Sequence, residues 1–309
     1  TNDLLFNLPV VSTSGFTTQT VNIGAMQNKG LEFSLNSKNF TGDFKWSTGF
    51  NISFIKNQVT KLQNNSPIVT DNYHVLQVGQ PVGSFYMLQQ TGIYQKDSEV
   101  PTALYNSGVR AGDVKFLDVN NDGNITAADR VIAGSALPEF FGGISNTINY
   151  KNFDLTVLTN FSMGNKIFSY WRGNSYGDGI DGIGGNQFNM LKETTESRWT
   201  GEGTSNSVPR AIWATANGNY NKQISTRYLE DGSYFRVKNI TLGYTLLPKN
   251  NNVVKSIRLY CSAQNLLTIT KYKGFDPEVT ASIDPRNLGI DAGTVPQSKQ
   301  FILGMNVKF

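Results

Sequence analysis

The last ten residues of the chain alternate between apolar and polar side chains. Every second position is apolar and the positions between are polar or small, with Ile302 as the exception. The apolar positions are Phe301, Leu303, Met305, Val307 and Phe309. A period of two residues predicts a β-strand that has one apolar face and one mostly polar face.

The same alternation recurs in six earlier segments, so seven strands are predicted in all. Leu158 interrupts the pattern in one of them. The segments are residues 31–36, 44–54, 144–150, 153–162, 239–246, 257–264 and the terminal 300–309. The longest have about ten residues, which is the length of a β-strand that crosses a membrane.

The connections between these strands alternate between short turns and long polar segments. Short turns follow residues 36, 150 and 246, whereas the long segments cover residues 57–139, 164–232 and 266–299. A compact soluble domain seldom contains loops of that length, but outer-membrane barrels combine short periplasmic turns with long extracellular loops. The pattern therefore predicts an all-β, antiparallel transmembrane barrel with long extracellular loops.

Aromatic residues lie beside two of the short turns. Phe40 and Phe44 flank the first turn, and Tyr150 and Phe153 flank the second. This placement is typical of an aromatic girdle at a membrane interface, although aromatic residues are also common in ordinary strands. The polar positions of the strands are mainly Ser, Thr, Asn, Gly and Gln, which suits a water-filled bore. A soluble antiparallel sheet with one wet face gives the same alternation.

Composition agrees with the membrane interpretation without deciding it. Charged residues make up 16% of the chain and the net charge is +4, against about 25% charged residues in ordinary soluble domains. No apolar run is long enough for a transmembrane helix. Cys261 lies on an apolar parity and has no second cysteine with which to pair, and His74 is the single histidine.

The sharpest local motif is a loop of acidic and amide residues with the spacing of a calcium site. Oxygen-bearing side chains stand at its first, third, fifth, seventh and twelfth positions, and Gly123 allows the chain to turn at the sixth. These predicted ligands are Asp118, Asn120, Asp122, Asn124 and Asp129. The alternative is an Asx-rich turn that is held by side-chain-to-backbone hydrogen bonds without metal. No other cofactor is expected.

Aromatic residues in the long loops are candidates for ligand or partner contacts, because such rings stack on sugars and anchor protein partners. The candidates are Trp171, Tyr176, Trp199 and Trp213. They could equally pack the loops against one another. The glycine-rich run at residues 177–185 lacks the ending of a phosphate-binding loop, and it is interpreted as a surface loop.

The chain resembles the SusC/RagA-type TonB-linked outer-membrane transporters of Bacteroidetes from about residue 28 to the last residue. Each matching segment is weak alone, but their order is specific. The segments are residues 28–32, 78–86, 112–123, 150–155, 198–200, 209–210, 229–244, 264–268 and 271–279, and the terminal strand.

The resemblance implies a wide barrel of about 22 strands with an N-terminal plug, which imports oligosaccharides or peptides and is not an enzyme. It also implies a SusD-like surface lipoprotein as partner, energy coupling through the TonB complex, and contact with outer-membrane lipid but not with nucleic acid. Residues 1–309 are expected to form the C-terminal part of the barrel, without the plug and the signal peptide. Phe309 resembles the aromatic end that the barrel-assembly machinery reads.

Two other classes remain open at this point. A secreted carbohydrate-binding β-sandwich with a calcium-stabilised loop would use the same aromatic residues and the same acidic loop. A glycan-degrading enzyme would need two carboxylates about 5–10 Å apart in a cleft, and the sequence offers no preferred pair.

Overall fold

A computed structural model of the chain describes residues 4–9, 18–174, 191–212, 218–248, 253–278, 284 and 286–309. Eight antiparallel strands form one large sheet, here called the wall. In their order across the sheet they are β1 (Leu4–Pro9), β2 (Thr18–Thr41), β3 (Phe44–Lys61), β10 (Phe140–Tyr150), β11 (Phe153–Met163), β14 (Tyr234–Leu246), β15 (Ser256–Thr270) and β17 (Gln300–Lys308).

Chain order and spatial order coincide in the wall, so each strand pairs with the wall strand before it and the one after it. Residues 42–43 and 151–152 form two of the short turns, and β14 ends and β15 begins at the same edge. Lys151 adopts a positive φ of 52° because the two-residue turn between β10 and β11 requires a left-handed backbone. All three long connections therefore leave from the opposite edge.

The seven strands predicted from alternation are all present, and the all-β antiparallel fold is confirmed. β1 was missed, because Leu4, Leu5 and Phe6 follow one another without alternating. The prediction also placed the start of β2 at residue 31, whereas the strand begins at Thr18. In residues 20–25 Val21, Ile23 and Ala25 alternate with Thr20, Asn22 and Gly24, so the period-two signal of the first half was present and the prediction did not use it.

Most apolar side chains of the wall lie on one face, here called the outward face, and many of them are exposed. Phe33 is 51% exposed, Phe301 71% and Leu303 84%. Cys261 is also exposed on this face. Within the described part of the chain, no second layer packs on these side chains. A sheet that exposes an apolar face throughout is stable only when a partner or a lipid phase covers it.

Aromatic side chains ring the outward face near both of its ends. Beside the short turns, Phe44 contacts Phe40 and Tyr150 at ring-centroid distances of 5.8 and 6.4 Å, and Phe153 contacts Tyr244 at 4.7 Å. This is the girdle that the sequence predicts.

A second girdle, which was not predicted from the sequence, lies towards the long connections. There Phe140 contacts Phe54 at 5.5 Å and Phe161 at 6.3 Å. The ten residue steps from Phe44 to Phe54, at about 3.3 Å each and with a strand tilt of about 40°, span about 25 Å. That height matches the apolar band of an outer-membrane barrel.

A chain of polar side chains crosses the outward face inside this band, and we call it the polar ladder. Ser37 Oγ donates to Asn39 Oδ1 (2.7 Å), Asn39 Nδ2 donates to Thr48 Oγ1 (2.8 Å), and Thr48 Oγ1 donates to Asn146 Oδ1 (2.7 Å). Trp46 Nε1 donates to the same Asn146 oxygen at 3.0 Å. Four donors, on Ser37, Asn39, Trp46 and Thr48, thus find acceptors within the ladder, as polar groups in hydrocarbon require.

The described parts of the long connections contain three small sheets and four short α-helices. The strands are β4 (Ile68–Val69), β5 (His74–Leu76), β6 (Ser84–Leu88), β7 (Gln90–Ile93), β8 (Val114–Phe116), β9 (Arg130–Ser135), β12 (Lys166–Ser169), β13 (Leu229–Asp231) and β16 (Ile290–Asp291). The helices are α1 (Thr102–Asn106), α2 (Tyr170–Asn174), α3 (Lys192–Ser197) and α4 (Gly218–Asn221). None of the described helices has the length and apolarity needed to cross a bilayer.

Most of the buried apolar core lies in these connections, and Val59 near the end of β3 joins it through Leu62 and Leu76. One cluster joins Phe85, Met87, Phe168 and Tyr228, which come from two different connections. Two further clusters surround Val114 and Val109. The long loops that the sequence predicts are therefore a packed layer with its own core, here called the loop layer.

The polar ladder generates a stability prediction. Asn146→Leu removes the acceptor of both Trp46 Nε1 and Thr48 Oγ1, and each unsatisfied donor in an apolar phase costs about 1–3 kcal/mol. We expect the free energy of unfolding in lipid vesicles, measured by urea titration of the full-length protein, to fall by about 2 kcal/mol or more. Ile144→Leu, a volume-conserving change on the same face, should cost less than about 1.5 kcal/mol. Equal costs for the two variants would contradict a role for the ladder.

Candidate functional site

The inner face of the wall, opposite the outward face, carries the polar positions of the strands. Asp154 on β11 forms a bidentate ion pair with Arg258 on β15, with Arg258 Nε 2.8 Å from Asp154 Oδ1. The pair crosses over Gly243 on the strand between them, where a side chain would collide with both partners. The small residue at position 243 thus allows charges on two non-adjacent strands to meet.

Farther towards the long connections, an ionic cluster surrounds Arg236, whose side chain is 2% exposed. Arg236 Nη2 lies 2.6 Å from Asp276 Oδ1, and Arg236 Nη1 lies 2.7 Å from Glu278 Oε2. Its Nε donates to Thr268 Oγ1 at 3.0 Å. Arg236 belongs to β14, whereas both carboxylates belong to the connection after β15, so the cluster attaches that connection to the inner face.

Glu278 is the centre of the same cluster. Its carboxylate accepts hydrogen bonds from Tyr234 Oη (2.5 Å), Asn160 Nδ2 (3.0 Å) and Gln297 Nε2 (3.2 Å), in addition to Arg236. Four donors from two strands and the loop layer hold one carboxylate in a fixed position.

Asp276 is buried, and burial alone would raise the pKa of its carboxyl. The backbone N–H of Glu278 and the guanidinium of Arg236 outweigh burial, and together they hold the pKa of Asp276 below its usual 3.8. The carboxylate therefore remains charged and paired over the whole neutral range.

A hollow of about 450 Å³ opens on the wall beside this cluster. Its lining combines the side chains of Asn51, Asn160, Tyr234 and Lys238 with those of Phe141 and Leu158. Leu158, which interrupts the sequence alternation, faces this hollow and is 43% exposed. Amides, a phenol and an amine beside apolar walls form a lining that can bind a polar ligand of mixed character.

A second ionic cluster holds the loop layer together. The Asp113 carboxylate is buried and accepts two hydrogen bonds from Arg210, at 2.9 and 3.0 Å, and one from Asn221 Nδ2 at 2.9 Å. Trp199 packs on Gly112, where a side chain would clash with the indole ring. Three segments that carry the family resemblance, around residues 112, 199 and 210, thus meet at one place.

His74 joins the first and the last of the long connections. Its Nδ1 lies 3.0 Å from the Asp71 carboxylate, and its Nε2 lies 3.0 Å from the backbone carbonyl oxygen of Leu288. Its side chain is buried against Phe85, at a ring-centroid distance of 4.6 Å. The single histidine therefore has a structural position inside the loop layer.

The predicted calcium loop is closed by its own hydrogen bonds. Asp118 accepts from the backbone N–H groups of Asp122 (3.2 Å) and Gly123 (2.8 Å), and buried Asp129 accepts from that of Val119 (3.0 Å). The other predicted ligands, Asn120, Asp122 and Asn124, are exposed. Among the described residues, no group of three or more His, Cys, Asp or Glu side chains is arranged to hold a metal ion. Calcium binding stays a prediction.

The described loop aromatics contact other parts of the loop layer. Trp171 is 8% exposed and stacks on Phe275 at 5.9 Å. Trp199 is half-buried, and its Nε1 donates to Gln95 Oε1 at 3.2 Å. Tyr176, Trp213 and the glycine-rich run at 177–185 lie outside the described residues.

The spacing of residues along the sequence does not reveal the Arg236 cluster. Arg236, Asp276 and Glu278 all occur in segments that carry the family resemblance. Their separation of about 40 positions follows no local period, and it is the antiparallel pairing of β14 with β15 that brings them together. The co-occurrence of one arginine and two acids within resembling segments was the available signal.

The chain is similar over its whole length to TonB-dependent receptors. It is 36% identical to TonB-dependent receptor P3 of Formosa agariphila and 28% identical to TonB-dependent receptor SusC of Bacteroides thetaiotaomicron. Each match covers 100% of this chain, but 31% and 29% of those proteins, so the chain spans about a third of the length of these relatives. No family model matches the chain.

Solved structures with the same fold include that of the RagAB peptide transporter, with a TM-score of 0.77 and 26% identity. The RagAB peptide importer in its closed-closed state gives 0.73 and 25%. Both matches cover 100% of this chain and 32% of the other. These similarities confirm the transmembrane β-barrel fold, the family resemblance and the outer-membrane location that the sequence predicts.

The Arg236 cluster generates a prediction about loop attachment. Arg236→Met leaves two carboxylates without their guanidinium, and breaking a buried pair costs about 3–5 kcal/mol. We expect amide hydrogen exchange in residues 271–278 of the full-length protein to accelerate strongly. Lys238→Met is the matched control, because that amine is 37% exposed and 3.6 Å from Glu278, so its loss should cost less than about 1 kcal/mol. Unchanged exchange in Arg236→Met would contradict the attachment.

The pKa of Asp276 gives the same attachment a defined pH dependence. Because the pKa is lower in the folded protein than in the unfolded chain, ionised Asp276 stabilises the attached loop above pH 3.8. That stabilisation is lost as the pH falls further, through the folded pKa. Proteolysis of residues 271–278 should therefore stay slow from pH 7 to about 4 and accelerate below it. Asp276→Asn cannot titrate and should lack this acceleration, whereas release already at pH 5 would contradict the assignment.

Proposed function

We propose that this chain, which is of the SusC/RagA type of TonB-dependent transporter over its whole length, forms part of the barrel wall and extracellular loops of an outer-membrane importer. The imported ligand is an oligosaccharide or a peptide. The energy comes from the TonB complex through parts of the protein outside residues 1–309. We assign transport and not catalysis, because the relatives carry the names of receptors and transporters.

The observation that carries this proposal is the division of the wall into two faces. The outward face presents exposed apolar side chains between two aromatic girdles about 25 Å apart, as a lipid-facing surface does. The inner face presents hydroxyls, amides and ion pairs, as a hydrated passage does. A carbohydrate-binding β-sandwich would instead need a second sheet on the apolar face, and the described residues place none there.

The hollow beside the Arg236 cluster is the proposed contact for the imported ligand along this part of the wall. Asn51, Asn160 and Lys238 can hydrogen-bond to hydroxyl or peptide groups, and Phe141 and Tyr234 can pack against a sugar ring or an apolar side chain. Peptide import has support from the similarity of the chain to RagAB, which is a peptide transporter.

The loop layer is the proposed extracellular mouth and the docking surface of a SusD-like lipoprotein. It lies at the edge opposite the short turns, which is the extracellular edge in outer-membrane barrels. Its own apolar core and its ionic attachment to the wall give it a defined shape. If calcium binds at residues 118–129, it stiffens this layer.

If ligand passes along the inner face, two substitutions on β11 should affect its uptake differently. Leu158→Trp fills the hollow on the inner face, so we expect the uptake of fluorescent oligosaccharides or peptides by cells of the native host to fall at least several-fold. Leu155→Trp places the same ring on the outward face, where tryptophan suits a lipid-facing position, and uptake should be unchanged. A protonophore should abolish uptake in the wild type.

Both variants must reach the outer membrane at wild-type levels, which immunoblotting of membrane fractions measures. Uptake that is insensitive to Leu158→Trp would overturn the role of the hollow. Uptake that survives the protonophore would overturn energy-coupled import.

A further inference from the structure

Two lysines face each other on the outward face of the wall, directly beyond the second girdle. Leu31 on β2 pairs with Phe54 on β3, and two residues farther on Lys29 pairs with Lys56. No bulge intervenes, so all four side chains project from the same face. Both lysines are exposed.

This pair is unfavourable as it stands. Like charges directly opposite each other across an antiparallel pair repel and destabilise the sheet. Within the described part of the chain, neither amine has a carboxylate within the 4 Å of an ion pair. Two facing cations at the end of an apolar band gain stability when an anion lies between or beside them.

A groove of about 880 Å³ adjoins the pair. It forms because β10 stops pairing with β3 at Phe54, whereas β3 continues to Lys61. On that side of β3, the backbone N–H of Ile55 donates to the Glu139 carbonyl oxygen (3.3 Å). The next backbone hydrogen bond along the strand is the one that Val59 N–H donates to the Gln80 carbonyl oxygen. The edge of β3 between these contacts borders the groove.

The lining of the groove changes character along its depth. Leu31 and Phe54 line it on the side of the apolar band, and Lys29 and Lys56 line it on the side of the loop layer. Lys166 adds a third amine, and Glu139 contributes the carboxylate of the lining. A ligand that matches this arrangement has an apolar end towards the membrane centre and an anionic end towards the loops.

We propose that Lys29, Lys56 and this groove bind the phosphorylated headgroup of a glycolipid of the outer leaflet, with an acyl chain against Leu31 and Phe54. The long-loop edge faces the cell exterior, so the lysines lie at headgroup depth in the outer leaflet. A free phosphate would use the amines but leave the apolar lining unoccupied. The site depends on the membrane placement of the wall and is independent of which ligand is imported.

The test compares the full-length protein with a Lys29→Gln/Lys56→Gln variant in detergent, with bisphosphorylated lipid A as the probe. Each lysine near a charged lipid surface contributes about 1 kcal/mol, so the double variant should bind about 30-fold more weakly. The matched control is Lys45→Gln, which removes one amine beside the short turns at the far end of β3. The control should bind as the wild type does.

A second readout separates loss of the site from damage to the fold. Without lipid, the double variant should melt at the same temperature as the wild type or higher, because the repulsion between the lysines is gone. With lipid A, the wild type should melt several degrees higher and the variant should gain little. The variant thus melts no lower than the wild type without lipid but lower than the wild type with lipid A. A substitution that merely weakens the sheet does not reverse the two melting temperatures in this way.

Two further probes identify the source of the anion. Lipid A without its phosphates, and inorganic phosphate alone, should each leave the melting temperature of the wild type unchanged. Equal stabilisation by dephosphorylated lipid A would overturn the role of the lysines. Equal stabilisation by inorganic phosphate, or equal binding of lipid A by the double variant, would overturn a lipid site.

Discussion

The constraint on which this structure depends is that backbone N–H and C=O groups in hydrocarbon must pair within the protein. A sheet whose strands are neighbours in both sequence and space meets that requirement with the shortest turns. Once the strands cross the membrane, alternation follows, because successive side chains point to opposite phases. The apolar outward face, the two girdles and the polar inner face are consequences of one arrangement of the backbone.

The same constraint explains where the apolar core is located. The wall obtains its apolar contacts from lipid, so its side chains are exposed in the isolated chain. The loop layer meets water and must bury its own apolar groups, as Phe85, Met87 and Phe168 do. Ion pairs from Arg236 and a contact through His74 then attach segments of this layer to the wall and to each other.

Alternation predicted the wall because lipid and water impose a signal of period two on the sequence. It failed at β1, where Leu4, Leu5 and Phe6 are consecutive. It was also not extended to the first half of β2, although Val21, Ile23 and Ala25 alternate there with polar or small residues. The Arg236 cluster could not be predicted from spacing, since its partners are brought together by strand pairing and a loop of the chain. The loop around Asp118 was found from its spacing, but an Asx-rich turn and a calcium loop share that spacing.

The polar ladder also constrains how the outward face can evolve. At most positions of that face one apolar residue can replace another, because lipid tails accommodate many shapes. Ser37, Asn39, Thr48 and Asn146 depend on one another for hydrogen-bond partners, so a change at one selects for compensating changes at the rest. In an alignment of close homologues these four columns should covary as a block, surrounded by columns that drift independently.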